Sequence, residues 1–232
     1  TYWRGGNIMM SALCGIDMAL WDILGKTSGK PLYALLGGKM RNSVLCYSHI
    51  LGKTMEDKIA RAADYVKQRQ LKVIRLRAGI PAAAGTFGVK SPQNGPLVEP
   101  WNPEEEIYNS IEYFIRVREA VGRDVGIIYD LHERFSPDQA IRIMRSLELY
   151  NPFFIEDPIA PDCVDSLRYV REKTSVPIAF GELYKSRWEC LPAITGHWVD
   201  YIRCDVIRVG GITEARKIAS LAETYDIKTA WH

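Results

Sequence analysis

A chain of 232 residues is long enough for one large domain or two small ones and can bury a substantial core. Hydrophobic residues make up 47% and charged residues 25%, and the net charge of +2 comes from interspersed acids and bases, so neither a nucleic-acid partner nor a membrane surface is indicated. No continuous apolar run approaches the roughly 18 residues that span a bilayer, and Cys14, Cys46, Cys163, Cys190 and Cys204 are scattered without a CxxC pair, as buried thiols of a reducing cytoplasm are.

The chain starts at Thr1 without a signal-peptide pattern and stops at His232 inside an apolar, strand-like run; both ends read as cut, and a longer protein is expected. Residues 9–25 carry a helical pattern, with Met9, Leu13, Ile16, Leu20, Ile23 and Leu24 on one face and Gly25 placed to stop it. Asp17 and Asp22 in that helix read as ordinary exposed charges. After a turn-rich stretch with Gly29, Pro31, Gly37 and Gly38, Val44–Ser48 reads as a strand and Met55–Arg69 as an amphipathic helix. Lys72–Arg77 is a second strand with alternating apolar and basic residues. The segment from Ala78 to about Pro103 is rich in Gly, Pro and Ala; a loop that long leaving a strand end reads as a lid over a site in preference to plain disorder.

Glu104–Val121 is expected to be a helix and Val125–Tyr129 a third strand, ending at Asp130. Ser136, Pro137 and Gln139 form a capping-box pattern for the next helix. Strands follow at Phe153–Ile155, Pro177–Phe180, Tyr201–Cys204 and Lys228–Trp231, alternating with helices at Ser166–Lys173, around Ser186–Ile194 and at Thr213–Tyr225. Seven alternating units predict an α/β fold with a parallel sheet and helices outside it.

Asp130, Glu156 and Glu182 each follow an apolar run, and neighbours in this series are 26 residues apart, about the length of one strand–helix unit. The spacing favours a (β/α)8-type barrel over a doubly wound sheet, incomplete here with about seven β/α units, and sets the three acids on the rim where ligands bind. Acids also cap helices and decorate loops, but three converging carboxylates repel unless a cation such as Mg2+ neutralises them. His132 lies two residues beyond Asp130 and would face the site beside it. Asp205 follows the sixth strand and His232 ends the seventh, so the carboxylate could hold the imidazole as a general base requires, or instead cap a turn before Gly210–Gly211. Arg75, Arg77 and Arg203 are suited to gripping a substrate carboxylate, or equally to pairing with a structural acid. Gly210–Gly211 reads as a turn, and His49 and His197 as structural.

The segments SALCGIDMALWDILGK, PLYALLGG, NPFFIEDP, GEL and DVIRVGGITEA resemble the enolase superfamily in its mandelate racemase/muconate lactonizing branch, and the resemblance covers essentially the whole chain. It implies that residues 1–40 end an α+β capping domain and that 41–232 form a partial barrel. It also implies that Asp130, Glu156 and Glu182 bind Mg2+ and that the chemistry starts by removing a proton α to a carboxylate, through an enediolate. The Asp-x-His on the third strand resembles the acid-sugar dehydratases (mannonate, gluconate or galactonate), in which the histidine matching His132 protonates the departing hydroxyl. The one matching His232, paired with the equivalent of Asp205, takes the α-proton. Two departures stand out: Phe87 occupies the place of an expected loop tyrosine, and Arg75-Leu76-Arg77 replaces the Lys-x-Lys of the racemases. The expectation is an Mg2+-dependent, cytoplasmic, homo-oligomeric dehydratase acting on a small sugar acid, inactive without the missing parts. A weakly active or silent acid-sugar binder, or an epimerase or racemase, is the alternative.

Overall fold

A computed structural model describes residues 5–78, 102–162 and 164–232; most of the expected lid, Phe87 and Cys163 lie outside the described residues. Seven strands, β1 (Ser48–His49), β2 (Val73–Arg77), β3 (Gly126–Asp130), β4 (Phe154–Glu156), β5 (Ile178–Phe180), β6 (Tyr201–Ile202) and β7 (Lys228–Thr229), line up in chain order in one parallel sheet. The helices are α1 (Asn7–Ser28), α2 (Leu32–Leu35), α3 (Met55–Arg69), α4 (Pro103–Val121), α5 (Pro137–Leu147), α6 (Val164–Glu172), α7 (Arg187–Thr195) and α8 (Ile212–Thr224). The strands are shorter than the apolar runs suggest: only β2 and β3 reach five residues, and the flanking residues continue as loops. The architecture is an incomplete (β/α)8-type barrel, with β1 and β7 as the outer strands.

Strand side chains alternate between two cores. Ile74, Leu76, Ile127, Tyr129, Ile155, Ile178, Phe180 and Ile202 face outward into the large core shared with the helices. Val73, Ile128, Phe154 and Ala179, joined by Tyr47, Tyr201 and Ala230, form a smaller inner layer. The hydrophobic floor of the barrel thus takes at least one residue from every strand or its immediate flank, with Phe153 packed beside Phe154 at β4, as layered barrel interiors do.

Helix ends follow their local chemistry. Ser136 and Gln139 make the expected capping box at α5, Thr54 accepts from Asp57 N–H at α3, and Asn102 accepts from Glu104 and Glu105 N–H at α4. The first helix departs from expectation. It runs past Gly25 to Ser28, where the left-handed Gly29 caps it. Its buried residues are Met10 and Cys14, whereas Ile16, Leu20 and Ile23 are exposed. By length and composition α1 is apolar enough to cross a membrane. The expectation based on continuous runs missed this, because Asp17 and Asp22 interrupt the apolar residues without abolishing their predominance. Asp17 is no idle surface charge: its Oδ2 accepts the Thr213 N–H at 3.0 Å, at the start of α8. The Gly210–Gly211 turn makes this approach possible, since both residues have positive φ and a Cβ on Gly211 would lie 2.5 Å from Asp17 Oδ2. The helix N-terminus there does receive an anion, and the anion comes from the chain itself.

One acid outside the rim is energetically marked. Glu106, in the first turns of α4, is buried, and burial pushes its carboxyl up to about 7 against the pull of the Ser110 hydroxyl and the Lys58 charge. Folding therefore favours the protonated acid. That contribution is complete below the ordinary value of 4.5 and is lost as pH rises through about 7. Glu106→Gln is expected to stabilise the protein at pH 8 by about 1–2 kcal/mol, after discounting for solvent screening, and to bring no gain near pH 4. Denaturant unfolding at the two pH values checks this, and an equal gain at both would contradict it.

Candidate active site at the strand ends

Two residues above the inner floor, each strand or its flank places a residue at the site. Tyr47 is followed in this way by His49, Val73 by Arg75, Ile128 by Asp130, Phe154 by Glu156, Ala179 by Gly181, Tyr201 by Arg203 and Ala230 by His232. The period of two that sets the apolar floor therefore sets a polar layer directly above it. Glu182 follows the glycine and reaches the layer from just beyond β5.

The layer is a buried lattice of acids and arginines. Arg75 donates from Nη2 to Asp130 Oδ2 at 2.6 Å and from Nε to Glu156 Oε1 at 2.8 Å, with Nη2 also on Glu156 Oε1. Arg203, 1% exposed, sets Nε 3.0 Å from Glu156 Oε2 and Nη1 3.0 Å from Glu182 Oε2. Both arginines are thus engaged with acids rather than held open for a substrate. Arg77 differs: it is 42% exposed and its Nε stands 3.9 Å from Asp130 Oδ2. Burial works to raise the Asp130 carboxyl, but the His132 hydrogen bond and the Arg75 charge outweigh it and hold the group below its ordinary value. Burial and the neighbouring Asp130 charge push Glu156 up. Glu133, at the edge of the cluster, is pushed up to about 7 by burial and by Glu182.

His132 Nδ1 lies 3.2 Å from Asp130 Oδ2. The route to this contact is not an extended segment: His132 and Glu133 both have left-handed backbones, with φ of 54° and 62°. Their loop is pinned by Leu131 N–H to Glu156 O and by Glu133 N–H to Asp157 O. Two successive non-glycine residues in that region mark stored strain at a site. Across the sheet, His232 Nδ1 and Asp205 Oδ2 are 3.1 Å apart, and the backbone N–H of His232 donates to Cys204 O. His232 Nε2 faces Glu182 Oε1 at 3.7 Å.

A cavity of about 170 Å3 opens in this layer, lined by His49, Ile50, Leu51, Arg75, Arg77, His132, Glu182 and His232. His49, read as structural, is part of it, with Arg75 Nη1 3.2 Å from its ring nitrogens and Tyr47 stacked beside it. The two-residue rule that finds Asp130 also finds His49 when applied to β1. Asp157 and Arg208 were missed as well. Arg208 stands 3.6 Å from Asp205 Oδ2 and 4.0 Å from Glu182 Oε1, and no local pattern points to it.

The donor set fits a hard divalent cation. Asp130 Oδ1 is buried and accepts no hydrogen bond among the described residues, whereas Glu156 Oε2 is held in an ion pair with Arg203 Nε at 3.0 Å, so one carboxylate oxygen is left without a donor. Ligand oxygens of Glu156, Asp157 and Glu182 also lie within 4.8 Å of one another. All are carboxylate oxygens, the chemistry that Mg2+ takes. If a cation shares the burden of the acids with Arg203, Arg203→Leu will cost about 3–5 kcal/mol of stability without Mg2+, as expected for breaking a buried pair, and visibly less with it. Unfolding curves with and without Mg2+ check this; the same cost in both would contradict it.

Comparison with known proteins gives these residues a family. The enolase C-terminal domain-like family model matches residues 57–232, and the mandelate racemase / muconate lactonizing enzyme N-terminal domain matches residues 1–37. A D-mannonate dehydratase from Sphingomonas sp. (strain SKA58) is 41% identical over 241 residues, covering 100% of this chain and 59% of the relative. The D-galactonate dehydratase family member ManD from Chromohalobacter salexigens is 38% identical over 242 residues, with the same coverage. Among solved structures, an enolase from Pantoea ananatis with bound D-gluconate and Mg aligns with a TM-score of 0.88 at 37% identity, over 100% of this chain and 59% of that one. The chain therefore spans 59% of the length of these relatives. A rim of acids and histidines on a parallel barrel, the matched domain models and relatives near 40% identity lead to one assignment: the chain belongs to the mandelate racemase / muconate lactonizing enzyme family of the enolase superfamily.

Proposed function

We propose that the protein carrying this chain is an Mg2+-dependent hydro-lyase that removes water from a sugar acid (a hexonate such as mannonate, gluconate or galactonate) to give a 2-keto-3-deoxy acid. The observation that carries this reading is the pair of histidines, His132 and His232, each held by its own carboxylate and both lining the cavity that Glu182 also lines. The names of the relatives and the gluconate in the Pantoea structure support the substrate class. Four thiols recorded as free, Cys14, Cys46, Cys190 and Cys204, agree with a reducing, cytoplasmic setting.

Asp130, Glu156 and Glu182 would hold Mg2+. Bound there, the cation would neutralise negative charge that develops on the substrate carboxylate. The rest falls to the chain. The guanidinium of Arg77, partly exposed at the cavity wall, binds and orients the acid end of the substrate. Asp205 holds His232 through Nδ1, which leaves Nε2 as the acceptor for the proton on C2. The electron pair released from C2 moves toward C3, and the C3 hydroxyl leaves with a proton supplied by His132. The resulting enol gains a proton at C3 and becomes the 2-keto-3-deoxy acid, so one water is lost in total. His49, beside Arg75 in the cavity wall, is suited to contact the hydroxyls of the substrate.

Incubation of the protein with Mg2+ and a panel of hexonates is expected to give a 2-keto acid from at least one of them. His132→Asn and His232→Asn should each lower kcat by about 10²- to 10⁴-fold, the span of a general acid or base. His232→Asn should also abolish deuterium exchange at C2, whereas His132→Asn should retain it. Tight, Mg2+-dependent binding of every hexonate tested without turnover of any would contradict the assignment and favour a sugar-acid-binding role. Exchange at C2 without loss of water in the unaltered protein would point to an epimerase instead.

A further inference from the structure

The loop between β6 and α8 carries Asp205, and short contacts tie it together. Ile207 N–H donates to Asp205 Oδ1 at 2.7 Å, Val209 N–H to Asp205 O at 3.0 Å and Gly211 N–H to Val206 O at 2.9 Å. Val209 anchors the middle of the loop in the large core. One end of the loop reaches the site, where Asp205 Oδ2 meets His232 Nδ1 at 3.1 Å. The other end is the start of α8, and there the usual cap is missing. An N-cap side chain normally accepts the N–H of the second or third helical residue. The N-cap of α8 is Gly211, at φ 107°, which has no side chain to offer.

Helix α1 provides what the loop lacks. Asp17 Oδ2 accepts the N–H of Thr213, the second residue of α8, at 3.0 Å. Trp21, one turn further along α1, donates from Nε1 to Thr213 Oγ1 at 2.9 Å. A Cβ on Gly210 would stand 2.7 Å from Met10 Cε, as one on Gly211 would crowd Asp17. Met10, Asp17 and Trp21 therefore press α1 against the chain from Gly210 to Thr213. Helix α1 lies in the stretch that matches the N-terminal domain model, and the loop lies in the stretch that matches the C-terminal one. The contact thus joins two domains.

We infer that Asp17 is a positioning residue for the Asp205–His232 pair: by capping α8 in place of Gly211, it fixes the loop whose other end holds the imidazole. This rests on the reading of His232 as the proton acceptor. Without a cap the first turn of a helix frays. Fraying would release Gly210 and Gly211, whose positive φ values are no barrier to other conformations because glycine visits both signs freely. The Gly211–Val206 and Val209–Asp205 hydrogen bonds would then lose their anchor, and the Asp205 carboxylate, tied to the loop through Ile207 N–H, would move with them. A misplacement of about 1 Å is enough to cost a large part of a catalytic rate. Asp17 does not line the cavity that His232 lines, so its influence on the pair travels through this loop.

Asp17→Ala removes the cap, and Asp17→Asn keeps an accepting oxygen in its place. Amide hydrogen exchange in the protein carrying this chain is expected to quicken about five- to thirtyfold in Asp17→Ala, the span for losing a helix cap. The quickening should appear at Thr213, at Val209 and Gly211, and at His232, whose N–H donates to Cys204 O. Leu131 and Glu133, whose N–H groups donate to Glu156 O and Asp157 O, should keep their rates. If the protein turns over a hexonate, kcat of Asp17→Ala should fall about 10- to 100-fold with KM little changed. Asp17→Asn is expected to return amide exchange and kcat to within about threefold of the unaltered protein, since asparagine and aspartate cap about equally well. Trp21→Phe, which loses the indole donor and keeps a ring, should move the same amides in the same direction by less, and it decides the matter if Asp17→Ala does not fold. Quickening confined to Thr213 would overturn the inference, as would equal quickening at Leu131 and Glu133, which marks general loosening. An unchanged kcat in Asp17→Ala would overturn it too. An unaltered protein that dehydrates nothing removes the proposed reaction and leaves Asp17 to be judged by amide exchange in the loop and at His232.

Discussion

Burying carboxylates at one end of a sheet is the constraint on which the site depends. Asp130 and Glu156 are fully buried and Glu182 nearly so, at a separation where unneutralised charges repel by several kcal/mol even at an effective dielectric near 20. The chain meets this by threading two arginines from β2 and the end of β6 between the acids, each contacting more than one of them. Such ion pairs seldom add net stability over an apolar core, so their use here is best read as specificity. They fix where each acid points and keep the cluster intact while leaving Asp130 Oδ1 without a donor.

The hydrophobic floor and the polar layer are consequences of the same strand period. Tyr47, Val73, Ile128, Phe154, Ala179, Tyr201 and Ala230 pack beneath, and the next inward residue of each strand is pushed to the mouth. Because both layers sit on strands or on the residues immediately flanking them, the outer core of helices holds the site in register. The histidines are added at the margins: His132 on a strained loop tied to β4, and His232 just beyond β7, beside Asp205. The acids thus set where negative charge is concentrated, and each histidine stands beside it against its own carboxylate.

Much of this was legible in the sequence because it is local or periodic. Strand and helix alternation, the Ser136 capping box and the even spacing of Asp130, Glu156 and Glu182 all depend on residues near one another in the chain. Choice of partner is a different matter. Whether Arg75 and Arg203 would grip a substrate or a structural acid depends on residues 81 and 47 positions away. Asp17 looked like a surface charge because its partner, the start of α8, is 196 residues distant. The periodicity of α1 is silent on burial for a related reason: it reveals an apolar stripe, and not which side the barrel covers. His49 was recoverable, since the strand-end rule applies to β1 as it does to β3. The left-handed pair His132–Glu133 was not, because neither residue type demands that conformation.

The central claim is that the acids of β3, β4 and the loop after β5 converge on one divalent cation. Anomalous diffraction from crystals of the protein grown with Mn2+ in place of Mg2+ tests it most directly. The account expects one strong peak about 2.0–2.2 Å from carboxylate oxygens of Asp130, Glu156 and Glu182. No peak at the strand ends, or one coordinated by Asp157 in place of Asp130, would contradict it.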